Sequence, residues 1–184
     1  MTRGRTVGFK KHIKALKSHR ASAFESIYET TKHAVFAMAI SVIKDRQYAE
    51  DIMQESYMKM VKNIEQYDPN QSFMNWLLTI TKHTAIDYYH NMKHEIAIDP
   101  TDGSALFSSK DTPIEKRLEA EYYLSMLDDD SLQVVMLKIV ADLTFKDIAE
   151  LLEKPIGTIT WIYYEAMKKM QHADRVTVYE KATN

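Results

Sequence analysis

The sequence predicts an all-α protein: two small helical domains joined by a flexible linker, the second containing a helix-turn-helix. Three observations carry that reading. Four Gly and four Pro in 184 residues are too few for the tight turns of a sheet-rich chain. Apolar residues recur at three- and four-residue steps along most of the length, the period of a helix with one buried face. Residues 95–112 lose that period and gather Asp99, Pro100, Asp102, Gly103, Ser104, Ser108, Ser109 and Asp111, the composition of a linker.

The elements follow in chain order. Residues 1–20 hold seven bases (Arg3, Arg5, Lys10, Lys11, Lys14, Lys17, Arg20) and no acid. Without a strong apolar period they read as a mobile basic arm attracted to polyanions, either nucleic acid or an anionic membrane surface. Residues 21–94 form the first domain. Ser22 can cap a helix with Phe24, Ile27, Tyr28, Val35, Met38 and Val42 on its stripe. After a short connection at residues 44–47, a second helix places Ile52, Tyr57, Met60, Val61 and Ile64 inward. Its other face carries Asp51, Gln54, Glu55, Lys59 and Lys62. The run Gln66-Tyr67-Asp68-Pro69-Asn70-Gln71-Ser72 has the chemistry of a loop. A third helix then runs over about residues 72–93, with Phe73, Trp76, Leu77, Ile80, Thr84 and Tyr88 on one stripe.

Beyond the linker, residues 113–184 form the second domain. Its period resumes at Ile114, Leu118, Tyr122 and Leu124, and again at Leu132, Val135, Met136 and Ile139. Thr144 and Asp147 make a capping-box pattern opening a short helix with Ile148, Ala149 and Leu152 inward. Pro155 cannot continue that helix but suits the first turn of the next. The next helix carries Ile156, Ile159, Tyr163, Ala166, Met167 and Met170 on its apolar stripe, and exposes Thr158, Thr160, Trp161 and Tyr164, then Lys168 and Lys169. Two short helices joined this way form either a DNA-binding helix-turn-helix, whose second helix enters the major groove, or a plain helical hairpin.

Charge and composition narrow the function. The net charge of −2 hides an asymmetry: +7 over residues 1–20, −2 over 21–94 and −7 over 95–184. An acidic second half does not wrap DNA wholesale, so contact there is local. The absence of cysteine excludes disulfides, thiolate metal sites and thiol catalysis, and fits a reducing compartment. No apolar run reaches the roughly 18 residues of a membrane span, and no signal-peptide core follows the N-terminus. A cytoplasmic protein is expected. The seven histidines (His12, His19, His33, His83, His90, His94, His172) lack the neighbouring carboxylates of a ligand cluster. No Walker loop, GxSxG or HExxH motif is present. The expectation is no enzyme, no catalytic residue, no metal and no cofactor.

Three segments together resemble one family. Ala49-Glu50-Asp51-Ile52-Met53-Gln54-Glu55-Ser56-Tyr57 is similar to the "AEDLVQETF" signature of bacterial RNA polymerase sigma factors. Phe73-Met74-Asn75-Trp76-Leu77, followed by Ala85-Ile86-Asp87-Tyr88, is similar to their "FRAWL…AIDYLR" segment. Leu143 to Glu150 and Ile156 to Ile159 resemble their "LSYEEIAEIL…VGTV" helix-turn-helix. Order and spacing match the extracytoplasmic-function (ECF) group over about residues 22–172.

The resemblance implies a division of labour. Asp51, Gln54, Glu55 and Lys59 would dock on the clamp helices of the polymerase β′ subunit, with the β subunit as a further contact. Tyr67, Asp68, Asn70, Gln71 and Ser72 would offer hydrogen-bonding groups to a base flipped from the −10 element, with Phe73 or Trp76 as its wall. Tyr89, His90 and Lys93 would lie beside the duplex, where the family usually has several arginines. Thr144, Thr158, Thr160, Trp161, Tyr164 and Lys168 would face DNA or a partner protein. Where the family commonly has Lys-Ser-Arg, this chain has Thr160-Trp161-Ile162, and a common arginine is Glu165. The inter-helix turn, Glu153-Lys154-Pro155, lacks the usual glycine.

The implied function is an ECF-type sigma factor that binds core RNA polymerase and promoter DNA and directs initiation. The other reading is a sigma-like adaptor with weakened −35 recognition, recruited to DNA by a protein bound to the second domain. An anti-sigma factor or a DNA-targeting recruiter is the further partner these readings imply.

Overall fold

The computed structural model describes residues 3–18, 21–95 and 121–182, with side chains over 9–18, 22–92 and 121–173. Among the described residues there is helix and no strand. The linker over 95–112 lies almost entirely outside them, as do Ile114, Leu118 and the side chain of Lys93.

Helix α1 spans Arg3–Lys17 and corrects the expectation of a mobile arm. Phe9, Ile13 and Leu16 recur at helical spacing and are buried. The Phe9 ring packs 5.0 Å from Phe73. A stripe of three apolar side chains suffices once a partner surface covers it.

Helices α2 (Ala21–Ile43) and α3 (Arg46–Lys62) are joined through Lys44 and Asp45. Lys44 takes a left-handed φ of 57° and donates its N–H to the Ile40 carbonyl at 2.9 Å. Asp45 caps α3 by accepting the Tyr48 N–H, leaving the connection shorter than the four residues expected. The Tyr57 hydroxyl lies 2.7 Å from that of Thr31, which donates to the Ile27 carbonyl at 2.7 Å. Tyr57 is therefore the donor to Thr31, and burial raises its pKa far enough to keep that proton in place. This bond ties α3 to α2 inside the core. Val61, expected inward, is 42% exposed, because its neighbour Met60 takes the buried position and one residue along a helix turns about 100° away.

A single 3-10 turn, Ile64–Gln66, leads into the loop before α4 (Phe73–Glu95). Ile27, Val35, Met38, Ile52, Met60, Phe73, Leu77 and Leu78 are the closed centre of this first unit.

Residues 121–125 are helical, but Tyr122 is half exposed rather than inward. Helices α5 (Asp129–Ile139), α6 (Phe145–Leu152) and α7 (Ile156–Ala182) complete the second unit. The expected capping box is formed: Thr144 Oγ1 accepts the Asp147 N–H at 3.1 Å, and Asp147 accepts the Thr144 N–H at 3.2 Å. Ile148, Ile159 and Ala166 are fully buried where α6 and α7 meet. Ile162 is buried too, whereas Ile156, placed on the apolar stripe by its spacing, is 53% exposed in the first turn of α7.

The break between α6 and α7 is made by Glu153 at φ 55°. That left-handed conformation costs a side-chain-bearing residue roughly 1–2 kcal/mol, which glycine avoids. Glu153→Gly is expected to stabilise the protein by about 1 kcal/mol, a Tm rise of about 2–4 °C in thermal denaturation.

The two units pack on each other through α2 against α5 and α4 against α6. Buried residues of both belong to one contiguous cluster. Lys44 pairs with Asp129, Gln133 Nε2 donates to the Met38 sulfur at 3.6 Å, and Asn75 Nδ2 donates to Glu150 at 3.4 Å.

Candidate functional site

Three surfaces stand out once the core is accounted for. The first is the outer face of α3. Asp51 and Gln54 are exposed, with Glu55 half-buried beside them. Lys59 is not free on this face: it pairs with Glu55 at 2.8 Å and donates to the Thr84 hydroxyl at 3.1 Å. It thus fixes Glu55 against α4. Partial burial, then the charges of Glu55 and Asp51, raise the pKa of the neighbouring Tyr88 hydroxyl. Sequence reasoning missed the centre of the face. Met58 is 72% exposed between Gln54 and Lys62, and with Val61 it adds an apolar strip to an acidic rim. An exposed methionine among charges is the composition of an interface, but by residue type alone it reads as core.

The second surface is the loop over residues 67–72. Tyr67 and Phe73, expected as a base-binding hydroxyl and a wall, are instead buried at 5% and 1% exposure. The Tyr67 hydroxyl donates to the Gln71 carbonyl at 2.7 Å, so its proton is spent holding the loop. Its ring stacks edge-on against Phe73 at 5.4 Å and lies 5.1 Å from Trp76. Asp68 accepts both the backbone and side-chain N–H groups of Asn70, at 2.9 and 3.0 Å, and Ser72 Oγ accepts the Asn75 N–H at 3.3 Å. A rigid aromatic floor therefore presents a short polar rim on which Asp68, Asn70 and Gln71 are exposed and Ser72 and Trp76 half-buried. Further along α4, Tyr89 and His90 are exposed with their rings 6.1 Å apart.

The third surface is the face of α7. Thr158, Trp161, Tyr164 and Lys168 are exposed on one side, with Trp161 at 66% and Tyr164 at 60%. Thr160 is half-buried and donates to the Ile156 carbonyl at 2.8 Å, while Thr144 is engaged in its cap. Neither is a free contact residue. Glu165 and Lys168 also line a groove of about 570 Å³ with Tyr122, Met126 and His172. Among the described residues no group of His, Asp and Glu is placed to hold a metal ion, and no helix is long and apolar enough to cross a membrane.

Residues 27–94 match the sigma-70 region 2 family. The chain is 27% identical over 164 residues to the ECF RNA polymerase sigma factor SigW of Bacillus subtilis, covering 82% of this chain and 88% of that one. It is 24% identical over 151 residues to SigM of the same organism, covering 80% and 92%. Among solved structures, CnrH in complex with the cytosolic domain of CnrY superposes with a TM-score of 0.67, 16% identity and coverage of 90% and 96%. The sigma factor RpoE of Bartonella quintana, in complex with the anti-sigma factor NepR, superposes with a TM-score of 0.65, 21% identity and coverage of 83% and 97%. Over most of its length the chain is thus similar to ECF RNA polymerase sigma factors, and over residues 27–94 it matches sigma-70 region 2.

Proposed function

We propose that this protein is an ECF-type sigma factor that acts in transcription initiation, and that it docks on core RNA polymerase through the outer face of α3, with Asp51, Gln54 and Glu55 as its acidic rim and Met58 and Val61 as its apolar strip. The observation that carries the reading is that strip. Large apolar side chains stand in water on the same face as the acidic signature, and a clamp helix with basic and apolar residues would cover both. Lys59 acts by holding Glu55 in place. Core polymerase supplies the nucleotide chemistry, and the protein works in the cytoplasm without catalytic residues, metal or cofactor of its own.

In this reading Asp68, Asn70, Gln71 and Ser72 read the −10 base edge, with Trp76 at the side and Tyr67 and Phe73 beneath as supports. Tyr89, His90 and Lys93 run beside the duplex. Replacing Asn70-Gln71-Ser72 with another polar triplet is expected to change the preferred −10 base, or abolish opening, while co-purification with core polymerase stays intact. Permanganate footprinting on a promoter library checks this; loop variants that open the same promoters at the same rate would exclude the loop as reader.

The second reading rests on the α7 face. A recognition surface built from Thr158, Trp161, Tyr164 and Lys168 suits a protein partner, since exposed Trp and Tyr are favoured anchors of protein interfaces. Such a partner is an anti-sigma factor or a DNA-targeting recruiter.

A further inference from the structure

We propose that α1 is a fixed phosphate-binding rail for promoter DNA, set beside the 67–72 loop, with Lys10, Lys11 and Lys14 as its gripping residues. The proposal deepens the −10 reading above and rests on it for its location. Lys10, Lys14 and Lys17 are spaced i, i+4, i+7 and so share one side of the helix, about a quarter turn from the buried Phe9, Ile13 and Leu16. Both ends of the loop are tied to this helix. Lys17 pairs at 3.4 Å with Glu65 in the 3-10 turn just before the loop, and Phe9 packs on Phe73 just after it.

Lys10, Lys11 and Lys14 are exposed. No ion-pair partner holds them among the described residues. Lys10 to Lys14 span about 6 Å of helix, the run of roughly two phosphates along one strand of duplex DNA, and Lys11 extends the grip around the helix. The position also fits a deficit elsewhere. The end of α4, where phosphate contacts are expected, offers Tyr89, His90 and Asn91, and residues 95–184 are net acidic. Among the described residues, α1 carries the concentrated positive face. A membrane surface is the poorer occupant. An interfacial helix inserts its apolar face into the bilayer, and here that face is spent on the protein core.

The test uses holoenzyme carrying Lys10→Gln, Lys11→Gln and Lys14→Gln together, all at exposed positions. Promoter binding is measured against salt concentration. The slope of log affinity against log salt is expected to become shallower by about two to three, at roughly 0.9 per duplex phosphate contact. The weakening should be equal across promoter sequences, with polymerase assembly and −10 base preference unchanged, and the matching Lys→Arg triple should restore the slope. An unchanged slope overturns the proposal, as does an unchanged slope accompanied by lost co-sedimentation with anionic phosphatidylserine vesicles. The Asn70-Gln71-Ser72 swap separates the two readings. A slope flattened by the Gln triple while the swap leaves base preference unmoved removes the −10 assignment and keeps the rail. A moved base preference with an unmoved slope removes the rail and keeps the loop.

Discussion

Replacing Asp51 and Glu55 with lysine is expected to abolish co-purification with core RNA polymerase while leaving the far-ultraviolet dichroism of the helices intact. Both positions are on the outer face of α3, whose inner face holds the fully buried Ile52 and Met60, so the fold does not depend on their charge. At a covered contact the replacement removes two attractive groups and installs two repulsive ones. Breaking one desolvated charge pair costs about 2–5 kcal/mol, and each 1.4 kcal/mol is tenfold in affinity. The loss is therefore at least about thirtyfold and extends to several thousandfold. Met58→Ala separates this from a purely electrostatic effect. It changes no charge, its side chain is 72% exposed in the free protein, and it should still weaken assembly by about 1 kcal/mol or more if it is an anchor. Wild-type assembly by both variants would place the docking surface elsewhere.

What could be read from the sequence follows the range of the physics involved. The helix-turn-helix was legible because its signals are local: a capping box over four residues, a proline that cannot continue a helix, and apolar side chains at i, i+3 and i+7 that need only each other to form a stripe. The helical stripe of α3 was legible for the same reason, whereas its polar face took a meaning only from the resemblance. Helix α1 was not. Its three apolar residues are diluted by lysines, and what makes it a helix of the core is Phe73, sixty-four positions away in the sequence. Tyr67 and Phe73 failed similarly. An aromatic in a loop can face a base or the floor beneath it, and only the Gln71 carbonyl and the Trp76 ring decide between them. Met58 was passed over because methionine is usually core, and its exposure is visible only when Met60 and Ile52 are seen to fill the interior. Packing of α5 against α2 had no sequence signal at all, since the residues that meet carry the same apolar pattern they would need within their own unit.

Promoters selected by the holoenzyme from a randomised library are expected to show a defined −10 element and flat base frequencies at −35. The first turns of α7 read Thr158-Ile159-Thr160-Trp161-Ile162-Tyr163-Tyr164-Glu165, without a lysine or arginine to bind guanine bidentately. Each such contact discriminates by about 1–3 kcal/mol, so two missing contacts correspond to at least about thirtyfold and up to some twenty-thousandfold in specificity. The structure sharpens the deficit. Thr160 spends its hydroxyl on the Ile156 carbonyl and Thr144 is closed into its cap. Among the exposed groups on that side, Thr158, Trp161, Tyr164 and Lys168 remain, of which Lys168 alone carries a positive charge. Aromatic rings there would meet thymine methyls or a protein surface, and neither replaces a guanine fork. Trp161→Arg together with Glu165→Arg adds two cations and removes one anion on adjoining turns of α7. This variant should gain a −35 preference of tenfold or more in the same selection, with its −10 element unchanged. A strong −35 consensus already present in the wild-type pool would overturn the assignment, showing that the aromatic face reads DNA without arginine and needs no protein to bring it there.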